Sequence, residues 1–208
     1  MNMAKTYEIY THKSPYKNAY VVTSVAGGGK STFLSLAKKR FKTLSADELA
    51  HKLLLKHSKK LSLIFGNEIL SGNTIDRKKL GDMVFNDKSK LKLLNDFMHP
   101  RIKRLIYFFA NHNERLNKPY FIEIPLFFES KQKYDFDKIV LIYAPKKECL
   151  KRLKARSGYS NKKALRILNS QLDINTKLKK STFVLKNIGT KNDFIKLCER
   201  FLRSIDDI

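Results

Sequence analysis

Six consecutive residues, Gly27-Gly28-Gly29-Lys30-Ser31-Thr32, carry the most specific chemistry in the chain. Glycines let backbone N–H groups close around phosphate oxygens in dihedrals that a Cβ would forbid. Lys30 is spaced to reach β- and γ-phosphates, and the Ser31 hydroxyl is spaced to ligate Mg²⁺. The pattern Gly-x-x-x-x-Gly-Lys-Ser/Thr is incomplete, because Ser24 stands at its first glycine. Serine is small enough to serve there if the turn does not require φ > 0. The competing reading is a glycine-rich turn that binds nothing.

Four further residues could do chemistry. Asp47 follows a short stretch, 41–44, that reads as a strand, and it opens a helical pattern with Leu49, Leu53 and Leu54 on one side. That places it at the exit of a second parallel strand, on the edge where open α/β sheets bind ligands. It could equally be a plain helix N-cap. Glu123 follows an apolar run in the stretch 119–125, as a carboxylate supporting Mg²⁺ or as a solvent-facing strand-end acid. Arg152 and Arg156 lie four apart on one helix face, either closing over phosphates or simply solvated.

The elements that must position these residues follow from periodicity. A β-branched run precedes the glycines and helix-forming sequence, 33–40, follows them. This is strand, phosphate loop and helix, with the positive end of the helix dipole at the loop. Residues 46–116 read as an all-helical insertion. It contains a helix start at 75–80, a short helix at 91–97, and a longer helix opened by His99-Pro100, where proline suits a first turn. Strands are expected at 119–125, 137–144 and 182–186, and helices at 147–156, 161–171 and 193–205. The 137–144 strand is continuously apolar after its start and so is expected to be buried on both faces. Strands alternating with helices give an α/β fold with a five-stranded parallel sheet and right-handed crossovers.

Composition narrows the function classes. The 208 residues suit one domain, and no apolar run reaches membrane-spanning length. Residues 1–17 are polar and basic, which reads as a tail rather than a secretory signal. Tyr7, Tyr10 and Tyr16 are expected to pack part of it down. Lys and Arg number 43 against 19 Asp and Glu, a net charge of +24. Such a field attracts polyanions without regard to sequence. The lysines are scattered, however, and no recognisable nucleic-acid module is present. A lysine-rich composition or a highly charged phosphorylated substrate accounts for the charge. Cys149 and Cys198 fall in helical segments with no metal-ligand spacing or disulfide framework, which fits a reducing cytoplasm.

Several separated motifs together resemble the dephospho-CoA kinase family. They are the phosphate loop, Ser45-Ala46-Asp47 (similar to the family's Asp-Ala-Asp), Phe65-Gly66, and Ile75-Asp76-Arg77-Lys78-Lys79-Leu80 with Val84-Phe85. His99-Pro100 and Pro125-Leu126-Phe127-Phe128-Glu129 follow. Leu150-Lys151-Arg152-Leu153 with Arg156, Ser170-Gln171 with Lys177, and Asn187 before Gly189-Thr190 complete the set. The resemblance spans about residues 19–201. It departs from the family at Ser24 and Val25 (usually Gly-Gly), at Ser45 and Thr182 (usually Asp), and at Ser157 (usually Asp).

The resemblance implies a P-loop kinase, three-layer in architecture, that transfers phosphate from ATP to the ribose 3′-hydroxyl of 3′-dephospho-CoA, giving CoA and ADP. It implies a core of 18–45 and 117–208, an acceptor-side insertion of 46–116 and a lid at about 152–177. Asp47 would be the base, Lys30, Arg152 and Arg156 would stabilise the transferring phosphoryl, and Ser31 and Glu123 would serve Mg²⁺. Gly27 to Thr32 would cradle ATP. Arg77 either contacts substrate or supports the insertion, and His99 is a substrate contact or a structural helix-start residue. No specific nucleic acid and no membrane are expected as partners, a monomer is favoured, and the cytoplasm is the expected compartment. The alternatives are another small-molecule P-loop kinase, acting on a nucleoside or nucleotide, and a nucleic-acid-binding ATP switch.

Overall fold

Residues 14–130 and 132–206 are described by the structure, a computed structural model. In chain order the first half is β1 (Ala19–Ser24), α1 (Lys30–Ala37), β2 (Lys42–Ser45), α2 (Ala46–Lys56), α3 (Ser58–Phe65), a 3₁₀ turn (Asn67–Ile69), β3 (Leu70–Ser71), β4 (Thr74–Ile75), α4 (Arg77–Phe85) and α5 (Lys88–Glu114). The second half is β5 (Tyr120–Glu123), β6 (Ile139–Tyr143), α6 (Lys146–Ser157), α7 (Asn161–Asn169), α8 (Ile174–Lys179), β7 (Phe183–Lys186) and α9 (Lys191–Asp206).

Five strands form one parallel sheet in the order β2-β5-β1-β6-β7. β1 is central and buried along its whole length. Its side chains alternate between two cores, as strand geometry dictates. Tyr20 and Val22 join Phe33, Ala37, Phe194, Cys198 and Leu202 beneath α1 and α9. Ala19 and Val21 join Tyr120, Ile122, Ile139, Ile106 and Ala110 beneath α5. Helices cover both faces, so the architecture is three-layered. Thr182 ties the start of β7 to the start of β6: its hydroxyl donates to Asp137 O (2.6 Å) and accepts from Ile139 N (3.1 Å).

Residues 46–116 form their own small core of Leu61, Phe65, Ile69, Ile75, Leu80 and Val84. Here the structure departs from an all-helical insertion. Leu70 pairs with Ile75 and Ser71 with Thr74 in a two-stranded antiparallel hairpin. Gly72, at φ 60, turns it, a conformation glycine adopts without strain. The two helices expected at 91–97 and from 99 onward are one helix, α5, with Pro100 inside it. Proline removes a donor and crowds the preceding turn. Packing of Met98, Ile106 and Ala110 holds the helix through that break. Arg101 folds back over Phe97, donating to its carbonyl (2.6 Å) with the guanidinium 3.7 Å from the ring centroid. His99 is therefore mid-helix and not a helix-start residue. Residues 174–179, assigned to no element from sequence, form α8.

Of the tail tyrosines, Tyr16 packs at 5.5 Å from Tyr107 and 5.1 Å from Phe136. Tyr7 and Tyr10 lie outside the described residues. Both cysteines are buried, and burial pushes their thiols up to about 11 for Cys149 and about 12 for Cys198.

Candidate functional site

The phosphate loop bridges β1 and α1. Gly27 (φ 79) and Gly29 (φ 107) hold backbone conformations in the left-handed region. Ser24 does not, so glycine is not needed there. Its buried hydroxyl lies 2.7 Å from Ile142 O and 2.9 Å from Val25 O and serves both carbonyls as donor. Within the described residues, the N–H groups of Gly27, Gly29, Lys30 and Ser31 find no acceptor. Unpaired donors at a helix N-terminus form an anion site.

Side chains from the last third of the chain hold this loop in place. Asn187 Nδ2 donates to Gly28 O (2.9 Å), and Gln171 Oε1 accepts from Ala26 N (2.9 Å). Arg152 donates to Gly27 O and Gly28 O (3.5 Å each) and to Asn187 Oδ1 (3.3 Å). Arg152 thus braces the loop, whereas Arg156 remains exposed beside it. Asn187 directly follows β7, on the same sheet edge as Asp47. That edge was the signal that could have raised it from a motif match to a site residue. Gln171 follows a helix and offered no such signal.

Lys30 forms an ion pair with Glu123, their side chains 18% and 12% exposed. Parallel register sets this up, since Glu123 is the β5 partner of Val22 in β1 and of Ser45 in β2. Lys30 is thus largely enclosed. Ser45 caps α2, its hydroxyl accepting from Glu48 N (3.3 Å). The N-cap reading of Asp47 is thereby overturned: the cap is Ser45. The Asp47 carboxyl makes no hydrogen bond among the described residues. Partial removal from water raises its carboxyl above the ordinary aspartate range. Lys30 and Arg77 oppose that shift and Glu123 reinforces it. Arg77 starts α4, whose cap is Asp76.

A raised Asp47 fixes the sign of a pH effect. Were Asp47 to act as a base, its ionised form would do so, and kcat/KM should begin to fall on acidification at a pH above the ordinary aspartate range. The stability contribution has the opposite sense. It is present in acid and is lost as pH rises through the raised value. A pH–rate profile of the wild type against Asp47→Asn checks the first point, and the variant should lack that limb.

Two cavities meet here. One, of about 430 Å³, is lined by residues 24–32 together with Asp47, Glu123, Arg152, Arg156 and Gln171. The other, of about 760 Å³, lies between α2, α5 and the 124–134 segment, and His99, Asn95 and Glu129 are among its walls. Asp47 and Pro125 line both. A recess of about 290 Å³ opens behind Gly29, between Arg152, Asn187, Lys191 and Phe194. Lys30, Ser31, Thr32, Asp47, Glu123, Arg152 and Arg156 therefore converge. His99 belongs to the larger cleft, and Arg77 reaches the site only through its field at Asp47. Among the described residues no cluster of three His, Cys, Asp or Glu side chains could hold a metal ion. The Ser31–Glu123 pair is nevertheless compatible with Mg²⁺, which takes few protein ligands when phosphates and water supply the rest.

Comparison with known proteins agrees with this geometry. The dephospho-CoA kinase family model matches residues 21–193. A dephospho-CoA kinase of Campylobacter jejuni is 40% identical over 195 residues, covering 91% of this chain and 97% of the relative. One from Helicobacter pylori strain J99 is 38% identical over 192 residues, covering 91% and 98%. The solved C. jejuni dephospho-CoA kinase superposes with a TM-score of 0.75 at 40% identity, over 91% of this chain and 98% of that one. A solved Thermus thermophilus protein does so at 0.76 and 29% identity, over 89% and 96%. With its phosphate loop, its bridging aspartate and this similarity along nearly its whole length, the chain belongs to the dephospho-CoA kinase family.

Proposed function

We propose that the two cavities are the donor and acceptor sites of one phosphoryl transfer and that Asp47 joins them. The chain is a kinase that transfers the γ-phosphoryl of ATP to the ribose 3′-hydroxyl of dephospho-CoA, yielding CoA and ADP. The observation that carries the residue assignment is the position of Asp47 in the walls of both cavities.

Such transfer is mainly positioning and charge stabilisation. The free N–H groups of Gly27, Gly29, Lys30 and Ser31 receive phosphate oxygens of ATP. The recess behind Gly29 accommodates its base. Lys30 exchanges Glu123 for the transferring phosphoryl. The acceptor 3′-oxygen attacks the γ-phosphorus, the bond to the bridging oxygen breaks with ADP as leaving group, and the hydroxyl proton passes to Asp47. Mg²⁺, held by Ser31 and through water by Glu123, would neutralise phosphate charge. Arg152 keeps the loop in shape, while Arg156 covers the phosphates and excludes water. His99 lines the acceptor's place, and Arg77 tempers the Asp47 carboxyl.

We assign residues 46–116 to the acceptor side, about 152–177 to the lid, and 18–45 with 117–208 to the core. A monomer is the working unit in this reading. No helix among the described residues is long and apolar enough to cross a membrane. Two buried, unpaired thiols support the cytoplasm as its compartment.

The test is a coupled ADP assay with purified protein, ATP, Mg²⁺ and 3′-dephospho-CoA. CoA should form in proportion to ADP. Phosphorylation of AMP or adenosine at an equal or greater rate would overturn the acceptor assignment.

A further inference from the structure

Lys177 is 0% exposed, yet it lies on α8, outside the reaction site. Its ammonium sits 2.6 Å from Glu129 Oε1 and donates to Ser24 O (3.5 Å) at the root of the phosphate loop. Glu129 Oε1 also accepts from Leu172 N (2.9 Å). Glu129 is itself a wall of the 760 Å³ acceptor cleft. Its second oxygen, Oε2, is buried and has no hydrogen-bond partner among the described residues. A buried polar atom without a partner is rare and costly, and a donor that reaches it when the cleft beside Glu129 is filled removes that cost.

We propose that Glu129 and Lys177 are positioning residues that couple the acceptor cleft to the phosphate loop, with Glu129 Oε2 accepting a hydrogen bond from a neutral donor, an amide N–H or hydroxyl, on the bound acceptor. The proposal rests on the acceptor assignment above. One carboxylate then answers to both substrates. An acceptor donor fixes Glu129 from the cleft, Glu129 fixes Lys177, and Lys177 holds the carbonyl from which the loop departs. Gln171, six residues before Lys177, fastens the same segment to Ala26 N on the loop. Order at one site is thereby shared with the other, and linkage requires the effect to be reciprocal.

Removing one member of a buried ion pair strands the other, whereas removing both does not. Glu129→Leu/Lys177→Met is therefore the informative variant, with Glu129→Gln beside it. The affinity of a non-hydrolysable ATP analogue is measured with and without 3′-dephospho-CoA. In the wild type the acceptor should tighten the analogue by about tenfold, within the usual range for coupled sites. In the double variant that factor should fall to about one, and the KM for the acceptor should rise by about tenfold or more. The analogue's affinity without acceptor can fall, since Lys177 no longer holds the Ser24 carbonyl, so the readout is the ratio of affinities with and without acceptor in each protein. Glu129→Gln retains an oxygen acceptor, so its acceptor KM should lie closer to the wild type. A double variant with a lowered melting temperature but an unchanged coupling factor overturns the inference, as does a wild type with no coupling. CoA formation by the wild type is assayed in parallel. Its absence would sink the acceptor assignment, and its presence with unaltered coupling in the double variant would sink only this inference.

Discussion

Asp47→Asn should lower kcat by about 10²–10⁴-fold, the span of general-base contributions, while leaving the fold and ATP affinity near wild type. Asparagine keeps the shape and polarity of aspartate but cannot take a proton at this pH. The alternative role has gone to another residue: Ser45 caps α2, so neither Asn nor Ala at 47 removes a cap. The carboxyl is also held above its ordinary range, chiefly by desolvation, so folding is not relying on its charge. Melting temperature and turnover therefore separate cleanly. Normal turnover in Asp47→Asn would leave the junction of the two cavities without its base. The other nearby acid, Glu123, is engaged by Lys30.

Lys30→Ala should abolish transfer and also destabilise the protein, a combination that sequence alone did not suggest. A loop lysine aimed at a ligand would ordinarily be solvent-facing and cheap to remove. In the structure its ammonium is paired with Glu123 and both side chains are mostly enclosed. Truncation strands a partly buried carboxylate, at a cost of about 1–3 kcal/mol. For a chain of this size, each 1 kcal/mol lowers the melting temperature by about 2–4 °C. Lys30→Ala/Glu123→Gln should recover most of that loss and none of the activity, because no cation then meets the transferring phosphoryl. Thermal melts and ADP release on the wild type and both variants check it. Appreciable turnover in folded Lys30→Ala would remove the loop from the chemistry.

The elements around Gly27–Thr32 were legible because each carries a local signal: a β-branched run, positive-φ glycines, an apolar helix face. The parallel sheet followed from strand and helix alternation. What failed was non-local. Pro100 reads as a helix start because local sterics favour that position, but packing of α5 against the sheet overrides them. The β3–β4 hairpin is two residues per strand, too short for a period-two pattern to register. At the site, Asp47 and Lys30 were readable from strand-end and loop logic. The Lys30–Glu123 pairing needed strand register, and the bracing of the loop by Asn187, Gln171 and Arg152 needed contacts across more than a hundred residues of chain. Ser24 looked like a defect in the motif. Its hydroxyl proved to be a staple between the loop and β6.

The two buried cysteines bear on a hazard peculiar to this chemistry. CoA and its precursor carry a free thiol, and their oxidised forms are disulfides. A protein thiolate beside the site would exchange with them and trap the enzyme as a mixed disulfide. Cys149 lies directly beneath Gly27, where an added Cβ would come within 2.6 Å of its carbonyl oxygen. Its thiol is nonetheless enclosed and pushed up to about 11, and that of Cys198 to about 12. Thiolate is the reactive form and is almost absent at neutral pH under those conditions. The enzyme is thus built to handle a thiol cargo without entering its redox chemistry, and turnover should be indifferent to how much of the surrounding CoA pool is oxidised.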